Sequence, residues 1–110
     1  MDTTADTDRF QILRRGLLEF LVLGIVSSGD VYAADILARL ESTDFATREG
    51  TLYPLLSRMR REGLLDHEWQ ESTAGPPRKY YRLTDTGRAE LAAFRAYWTS
   101  LSTLIDALGA

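Results

Sequence analysis

The clearest pattern of apolar and polar positions lies between residues 47 and 65. Four apolar residues recur at the i, i+3, i+4, i+7 spacing of one helical face: Leu52, Leu55, Leu56 and Met59. Thr47 is predicted to cap the start of this helix, and Gly63 stands where it should end. The opposite face carries small residues and then arginines: Gly50, Pro54, Ser57, Arg58 and Arg61. Such a face suits close approach to a nucleic-acid groove, and equally an ordinary surface helix with a solvated basic side.

A change from helical to alternating periodicity follows directly. Residues 65–70 and 78–83 alternate apolar with polar positions, as half-buried strands do, and residues 71–77 between them are rich in turn formers. Arg78 and Lys79 therefore lie near the tip of a two-stranded hairpin. Tyr80 and Tyr81 point to opposite sides, so one is expected to pack inward. A basic-faced helix followed by a basic hairpin indicates a recognition helix and its wing.

Two further helices are predicted before this unit. Residues 8–27 form a helix that is apolar nearly all round, which requires cover on more than one side. A second helix runs from Tyr32 to about Leu40. The predicted fold class is mainly α with a small β-hairpin (α+β). It comprises a disordered tail over residues 1–7, a winged helix-turn-helix over residues 8–84, and a C-terminal dimerisation helix over residues 85–110.

The last helix is predicted to begin at Asp85, capped by Thr84, and to run to Leu108. Its apolar positions are spaced 3, 4, 3, 4, 3, which is typical of a helix–helix seam: Leu91, Phe94, Trp98, Leu101, Ile105 and Leu108. About 24 residues at ~1.5 Å each give a helix about 36 Å long, more than a small winged helix covers by itself. The seam predicts a homodimer interface, the alternative being a helix folded back on its own chain.

The distribution of charge matters more here than the total. The chain has 110 residues, enough for one domain, and a net charge of −3. Yet residues 48–61 hold four arginines against one glutamate, and residues 78–88 hold four basic residues against one aspartate. Because phosphate affinity follows the local field, the acidic total does not argue against nucleic-acid binding at these two stretches.

Several classes of protein are excluded by what the sequence lacks. With no cysteine there is no disulfide scaffold, thiolate zinc site or thiol catalysis. His67, the only histidine, alternates with Leu65 and Trp69 and is expected to be a packed strand residue. No residue constellation resembles an active site, so neither an enzyme nor a cofactor or metal is expected. Without a membrane-spanning apolar run or a signal-peptide pattern, the expected location is the cytoplasm, with no membrane partner.

Three motifs carry a family resemblance: Gly-Thr-Leu-Tyr-Pro at 50–54, Glu-Gly-Leu at 62–64 and Arg-Lys-Tyr-Tyr-Arg-Leu-Thr at 78–84. With Arg-Gly-Leu-Leu-Glu-Phe-Leu-Val-Leu at 15–23, they resemble the PadR-type winged-helix transcriptional regulators, in the short, multidrug-regulator-like subfamily. The resemblance implies a homodimeric repressor that binds a palindromic operator in double-stranded DNA. In multidrug-type members a tryptophan from each subunit sandwiches flat aromatic compounds, which implies that role for Trp98.

This chain departs from the family pattern before the second helix. The family has Tyr or His, then Gly, then Tyr or His there, whereas this chain has Tyr32, Ala33 and Ala34. The second aromatic residue of the pattern helps to contact the DNA backbone. That contact is therefore not expected from Ala34.

The candidate site residues form two groups. The DNA-binding group comes from the recognition helix, the residues before it, and the wing: Tyr32, Thr47, Arg48, Gly50, Thr51, Tyr53, Arg58, Arg61, Arg78, Lys79 and Tyr80. Within it, the helix start is expected to read base edges and the later arginines to bind phosphate. Arg78 and Lys79 of the wing fit either a minor-groove or a phosphate contact. The effector-binding group lies on the first and last helices: Phe20, Phe94, Trp98 and Ser102. By pattern alone, an interface anchor is the favoured role of Trp98. Tyr53 fits a half-buried packing residue and a phosphate donor equally well.

Taken together, these features predict a sequence-specific DNA-binding regulator, a repressor released by a small planar aromatic ligand at the dimer interface. The alternative is a winged-helix protein-interaction module that has no operator. The acidic total charge and Ala34 favour that alternative, and the two basic stretches oppose it.

Overall fold

The computed structural model describes residues 9–72 and 74–109. Its helices are α1 (Gln11–Val26), α2 (Ala33–Leu40), α3 (Glu49–Arg61) and α4 (Asp85–Gly109), and its strands are β1 (Val31–Tyr32), β2 (Leu65–Ser72) and β3 (Gly75–Leu83). This order of elements confirms the predicted fold class. The tail predicted over residues 1–7 lies outside the described residues. Among the helices that are described, none is long and apolar enough to cross a bilayer.

The core lies where α1, α2 and α3 meet the base of the sheet. Three of the four predicted stripe residues of α3 are 0% exposed: Leu52, Leu56 and Met59. The fourth, Leu55, is half-buried at the edge of the core. Val22 and Leu23 of α1 and Ile36 of α2 are equally buried. Each such side chain contributes roughly 1.5–3 kcal/mol through burial, so α3 is held firmly by one face and its other face stays free.

The sheet is larger than the predicted hairpin. Its strand order is β1-β3-β2, and the short β1 pairs Val31 with Tyr81 and Tyr32 with Tyr80. Local periodicity does not reveal a two-residue strand whose partner is some fifty positions away in the chain. As a result α2 begins at Ala33, one residue later than predicted, and the backbone N–H of Tyr32 donates to the Asp35 carboxylate at 2.9 Å.

The hairpin strands also continue into the predicted loop over residues 71–77. Pro76 and Pro77 lie in β3, beyond the two residues where β1 pairs with that strand. A proline has no backbone N–H to donate to a neighbouring strand. The pairing of β2 with β3 is accordingly irregular between Gln70 and Ser72, where the prolines begin. The turn is therefore shorter, and the wing longer, than the sequence predicts.

The start of α3 differs from the prediction as well. The residue at its N-cap position is Arg48, which is extended and makes no side-chain capping bond, so Thr47 is not the cap. The Arg48 carbonyl accepts the first helical bonds, from the N–H groups of Thr51 (3.0 Å) and Leu52 (2.9 Å). This leaves the Thr47 and Thr51 hydroxyls without a capping role.

A junction joins the end of α3 to the start of α4. The Thr84 hydroxyl donates to the Gly63 carbonyl (2.6 Å) and accepts from the Gly87 N–H (2.9 Å), which confirms Thr84 as the cap of α4. Gly63, where α3 was predicted to end, has φ +77°, a conformation that favours glycine. Gly87 lies against the Leu64 carbonyl so closely that an added Cβ would overlap it. The two helices are thus fastened to each other through backbone.

Beyond this junction α4 leaves the body of the molecule. Leu91 is buried in the chain's own core, whereas Ile105 is 61% and Leu108 is 77% exposed. The molecule is 57 Å long and only 21 Å thick. The last turns of α4 are therefore not folded back onto the described part of the chain, and their apolar seam is open.

Candidate nucleic-acid interface

The free face of α3 is flat and open near its start. Gly50, Pro54, Ser57 and Arg61 are exposed on the side opposite the buried stripe. Among the described residues, nothing lies within 4 Å of the position that a Gly50 Cβ would occupy. A backbone without side-chain cover can approach another molecule closely, and Arg48 and Thr51 are exposed beside it. Two of the three residues predicted to read base edges are therefore exposed at the start of α3, whereas Thr47 is half-buried.

A groove separates α3 from the wing. It has a volume of ≈ 410 Å³ and is lined by aromatic and basic residues and the start of α2: Tyr32, Ala33, Ala34, Tyr53, Trp69, Pro77, Arg78, Lys79 and Tyr81. Tyr53 is 46% exposed on the α3 side, so it is not a packed core residue. Among the described residues, no carboxylate belongs to this lining, and its charged members are the two cations Arg78 and Lys79.

The wing arginine is held by a stack of two tyrosines. The rings of Tyr32 and Tyr80 are 3.9 Å apart, and the Arg78 guanidinium lies 5.1 Å from the Tyr32 centroid. A side-chain hydrogen bond with Tyr32, and then burial, raise the pKa of the Tyr80 hydroxyl above its ordinary value. Both tyrosines were predicted to contact DNA; in the structure Tyr32 contacts the Arg78 guanidinium, and Tyr80 packs against Tyr32.

Tyr81 points to the opposite side of β3 and packs inward. It is 5% exposed, and burial raises the pKa of its hydroxyl above the ordinary value. His67 pairs with it across the sheet, with ring centroids 6.2 Å apart. His67 is half-buried, in agreement with the prediction of a packed strand residue, and burial followed by the charges of Arg60 and Lys79 lowers its pKa.

Arg58 and Arg61 differ in their surroundings. Arg58 is paired with Glu62 at 2.7 Å and with Glu19 of α1 at 3.7 Å, so its charge is partly compensated. Arg61 is exposed on the free face and makes no salt bridge within the described part of the chain. Sequence spacing placed both on one face, but it does not show that α1 brings a glutamate to Arg58.

A second basic flank was missed by sequence reasoning. Arg14 and Arg15 of α1 line the same surface depression as Thr47 and Thr51. They lie on the side of α3 away from the wing, and Arg15 is exposed. Their position depends on the packing of α1 against the start of α3, which no local motif reveals.

The predicted effector residues lie on a separate surface formed by α1 and α4. Phe20 and Phe94 stack at 4.2 Å with an interplanar angle of 7°, and Trp98 lies 6.0 Å from Phe94. Beside them is an apolar depression of ≈ 380 Å³: Leu13, Leu17, Phe20, Glu90, Ala93, Phe94, Tyr97, Trp98 and Leu101. Ser102 does not belong to this lining, whereas Tyr97, which was not predicted, does. We call this surface the aromatic patch.

Together, α3 with its free face and the hairpin with its groove define a winged helix-turn-helix domain. The family model described as transcriptional regulator PadR-like family matches residues 22–93, well over half of the chain. The chain therefore belongs to the PadR-like family of transcriptional regulators. Since the family consists of regulators rather than enzymes, this chain is not an enzyme.

Three relatives illustrate the similarity. A PadR-like transcription factor from Bacteroides fragilis superimposes with a TM-score of 0.79 and 39% identity, covering 92% of this chain and 98% of that one. The transcriptional regulator Rv3488 of Mycobacterium tuberculosis is 33% identical over 74% of this chain and 76% of its own length. The fold is also that of Bacillus subtilis PadR, solved in complex with operator DNA (TM-score 0.66, 23% identity, 71% of this chain and 45% of that chain).

Proposed function

We propose that the chain is a sequence-specific DNA-binding repressor of the cytoplasm, acting as a homodimer and released by a small planar aromatic effector. The observation that carries the proposal is the free face of α3 beside the cationic groove. A helix fixed by one face and open on the other, next to a basic hairpin, suits insertion into a major groove. The complex of B. subtilis PadR with operator DNA supports the same use of the fold.

In this proposal the start of α3 reads bases and its flanks hold the backbone. Thr47, Arg48 and Thr51 face base edges, and Gly50 allows the helix to come close. Arg61 binds phosphate directly, whereas Arg58 does so only by leaving Glu19 and Glu62. On the wing side Tyr53 and the tyrosine-supported Arg78 meet the other wall of the groove together with Lys79.

Dimerisation is supported by the open seam of α4. Trp98, Ile105 and Leu108 are 41%, 61% and 77% exposed, and Leu104 beside them is 51% exposed. An apolar surface of this kind along one helix is most simply covered by the same helix of a second copy. A two-fold dimer would hold two α3 helices about 34–36 Å apart, the spacing of successive major grooves on a palindromic site.

The aromatic patch supports the effector. Two flat rings already stack there, and Trp98 is exposed at its edge, so a third planar ring system has a surface to join. A ligand bound between the patches of two subunits would favour one arrangement of the subunits over another. It would thereby change the spacing of the α3 helices and the affinity for DNA.

A gel-shift titration tests the proposal. Duplex DNA from the chain's own promoter is expected to bind more tightly than a scrambled duplex of equal length. Several phosphate contacts would reduce the affinity by about a thousandfold or more between roughly 50 and 200 mM salt. Binding to neither duplex at low salt would instead favour the interaction module, to which the net charge of −3 points.

A further inference from the structure

Trp69 stands at an unusual place for a large aromatic side chain. It is 61% exposed, although Leu65 on the same face of β2 is buried and His67 is half-buried. Each strand residue advances the chain by about 3.3 Å, so Trp69 lies about 13 Å beyond Leu65, past the edge of the core. Exposure of an indole on a wing carries a cost that a contact with another molecule would offset.

The surroundings of Trp69 are cationic and aromatic. The Lys79 ammonium lies 5.1 Å from the indole centroid, in a cation–π contact with its direct cross-strand neighbour. Tyr53 of α3 lines the same groove, and so does Arg78. The groove thus combines neutral donors, the indole N–H and the phenol O–H, with cations, and no acid lines it in the part of the chain that the structure describes.

We propose that one strand of the DNA backbone lies along this groove and that Trp69 is a phosphate-contacting residue, donating its indole N–H to a phosphate oxygen beside Lys79. This inference rests on the proposed DNA-binding function. Charge complementarity selects the occupant, because a lining whose described residues include two cations and no acid fits a phosphodiester chain better than a protein surface of mixed charge. The wing then contributes one hydrogen bond from an uncharged donor to the phosphate, in addition to the salt-dependent contacts of its cations.

A backbone contact and a base contact make different predictions. If Trp69 donates to phosphate, Trp69→Ala weakens binding to operator and to unrelated duplex by a similar factor, roughly tenfold. Because an indole releases no counterion, the dependence on salt keeps its slope, whereas Lys79→Ala lowers the slope by about one. Trp69→Phe, which keeps the ring and removes the N–H, should lose most of the same affinity.

The experiment compares the full chain with its Trp69→Phe variant, so that the difference between their emissions belongs to Trp69, one of the two tryptophans in the sequence. Operator DNA should quench and shift the Trp69 emission and shield it from iodide. Gln70→Ala is the matched control, because Gln70 is the exposed neighbour on the opposite face of β2 and should bind DNA like the parent. Thermal melts of all variants confirm that each is folded.

The outcomes separate the inference from the proposed function. If the parent binds no duplex, the proposed function fails. If the parent binds but Trp69 stays open to iodide and Trp69→Ala binds like Gln70→Ala, only the inference fails. A loss confined to the operator, with unchanged affinity for unrelated DNA, would also overturn it, since that result means readout of bases rather than a backbone contact.

Discussion

The groove between α3 and the wing and the aromatic patch each contain an exposed tryptophan, and the two tryptophans differ in the residues that surround them. Trp69 lies under a lysine in a groove that no acid lines among the residues described, whereas Trp98 lies beside two stacked phenylalanines in a depression whose one charged residue in that same set is Glu90. The first setting suits an anionic backbone and the second a flat apolar ring system. Exposure alone therefore does not assign a role to an aromatic residue. The charges and rings around it do.

The largest effect on operator affinity is expected from changes in the α4 seam, because operator binding by α3 depends on the proposed dimer. Ile105→Asp with Leu108→Asp places two charges in the open seam of α4, and we expect a monomer. Operator affinity should fall by more than about a hundredfold, since the second half-site is then bound at the effective concentration of a separate molecule. Sedimentation and gel shift measure both effects. The contrary result would be a monomeric double variant that keeps the parent's operator affinity.

Gly87→Ala tests the junction between α3 and α4. The added Cβ meets the Leu64 carbonyl, and a backbone atom cannot move aside cheaply. Overpacking of this kind costs about 1–3 kcal/mol, which lowers the melting temperature by roughly 10 °C in a domain of this size. Gly16→Ala is the control: its Cβ meets nothing within 4 Å, and alanine favours a helix. Equal melting temperatures for the two variants would contradict the tight contact.

Ligand binding should separate the two tryptophans. Planar dyes are expected to quench the emission of the parent, and Trp98→Ala should weaken dye binding by about tenfold, in line with an aromatic stacking contribution of ~1.5 kcal/mol. Trp69→Phe should leave the dye affinity unchanged. Fluorescence titration with both variants decides the matter. Dye binding that survives Trp98→Ala at full strength would remove this residue from the effector site.

A smaller difference is expected between two arginines of α3. The double variant Arg58→Ala, Arg61→Ala should bind operator more weakly and with a flatter salt dependence. Arg61→Ala alone should account for most of this change, because Arg58 is already engaged by Glu19 and Glu62. Gel shifts at several salt concentrations provide the slopes. Equal losses for the two single variants would mean that Arg58 leaves its glutamates on binding.

The smallest effect concerns pH. The pKa of His67 is lowered from 6.5, mainly by burial, and its buried Nδ1 atom has no hydrogen-bond partner within residues 9–72 and 74–109. As the pH falls, the unfolded chain therefore binds a proton at this histidine before the folded chain does. The contribution of neutral His67 to the free energy of unfolding is fully present above about pH 6.5 and is lost as the pH falls below that value. Melting temperatures at about pH 7.5 and pH 5.5 should differ less for His67→Gln than for the parent. A parent and variant with parallel pH profiles would show no such linkage.

Features of the fold that depend only on neighbouring positions in the chain could be predicted from the sequence. The stripe of α3, the seam of α4 and the Thr84 cap all follow from spacing within one element. Features that need two distant segments could not. These include β1, which exists only through its pairing with β3, and the ion pair between Arg58 and Glu19.

Trp69 shows the same limit within the candidate site. Its alternation with Leu65 and His67 gave its face of the strand but not its exposure, because periodicity does not show how far a strand extends past the core. Arg14 and Arg15 were likewise passed over, since only tertiary packing brings them beside Thr47 and Thr51. The kinds of residue on the two surfaces could be predicted from the sequence, but the full set of residues that lines each surface could not.

The hydroxyl of Thr84 has a mechanical consequence. Since it joins Gly63, just after α3, to the first turn of α4, the two helices share a pivot, and Trp98 lies about 21 Å along α4 from Thr84 at ~1.5 Å per residue. A sideways shift of about 2 Å at that point turns α4 by roughly 5°, and the far end of α4 moves about twice as far. In the proposed mechanism α3 needs no hinge of its own, because it turns together with α4, to which it is joined.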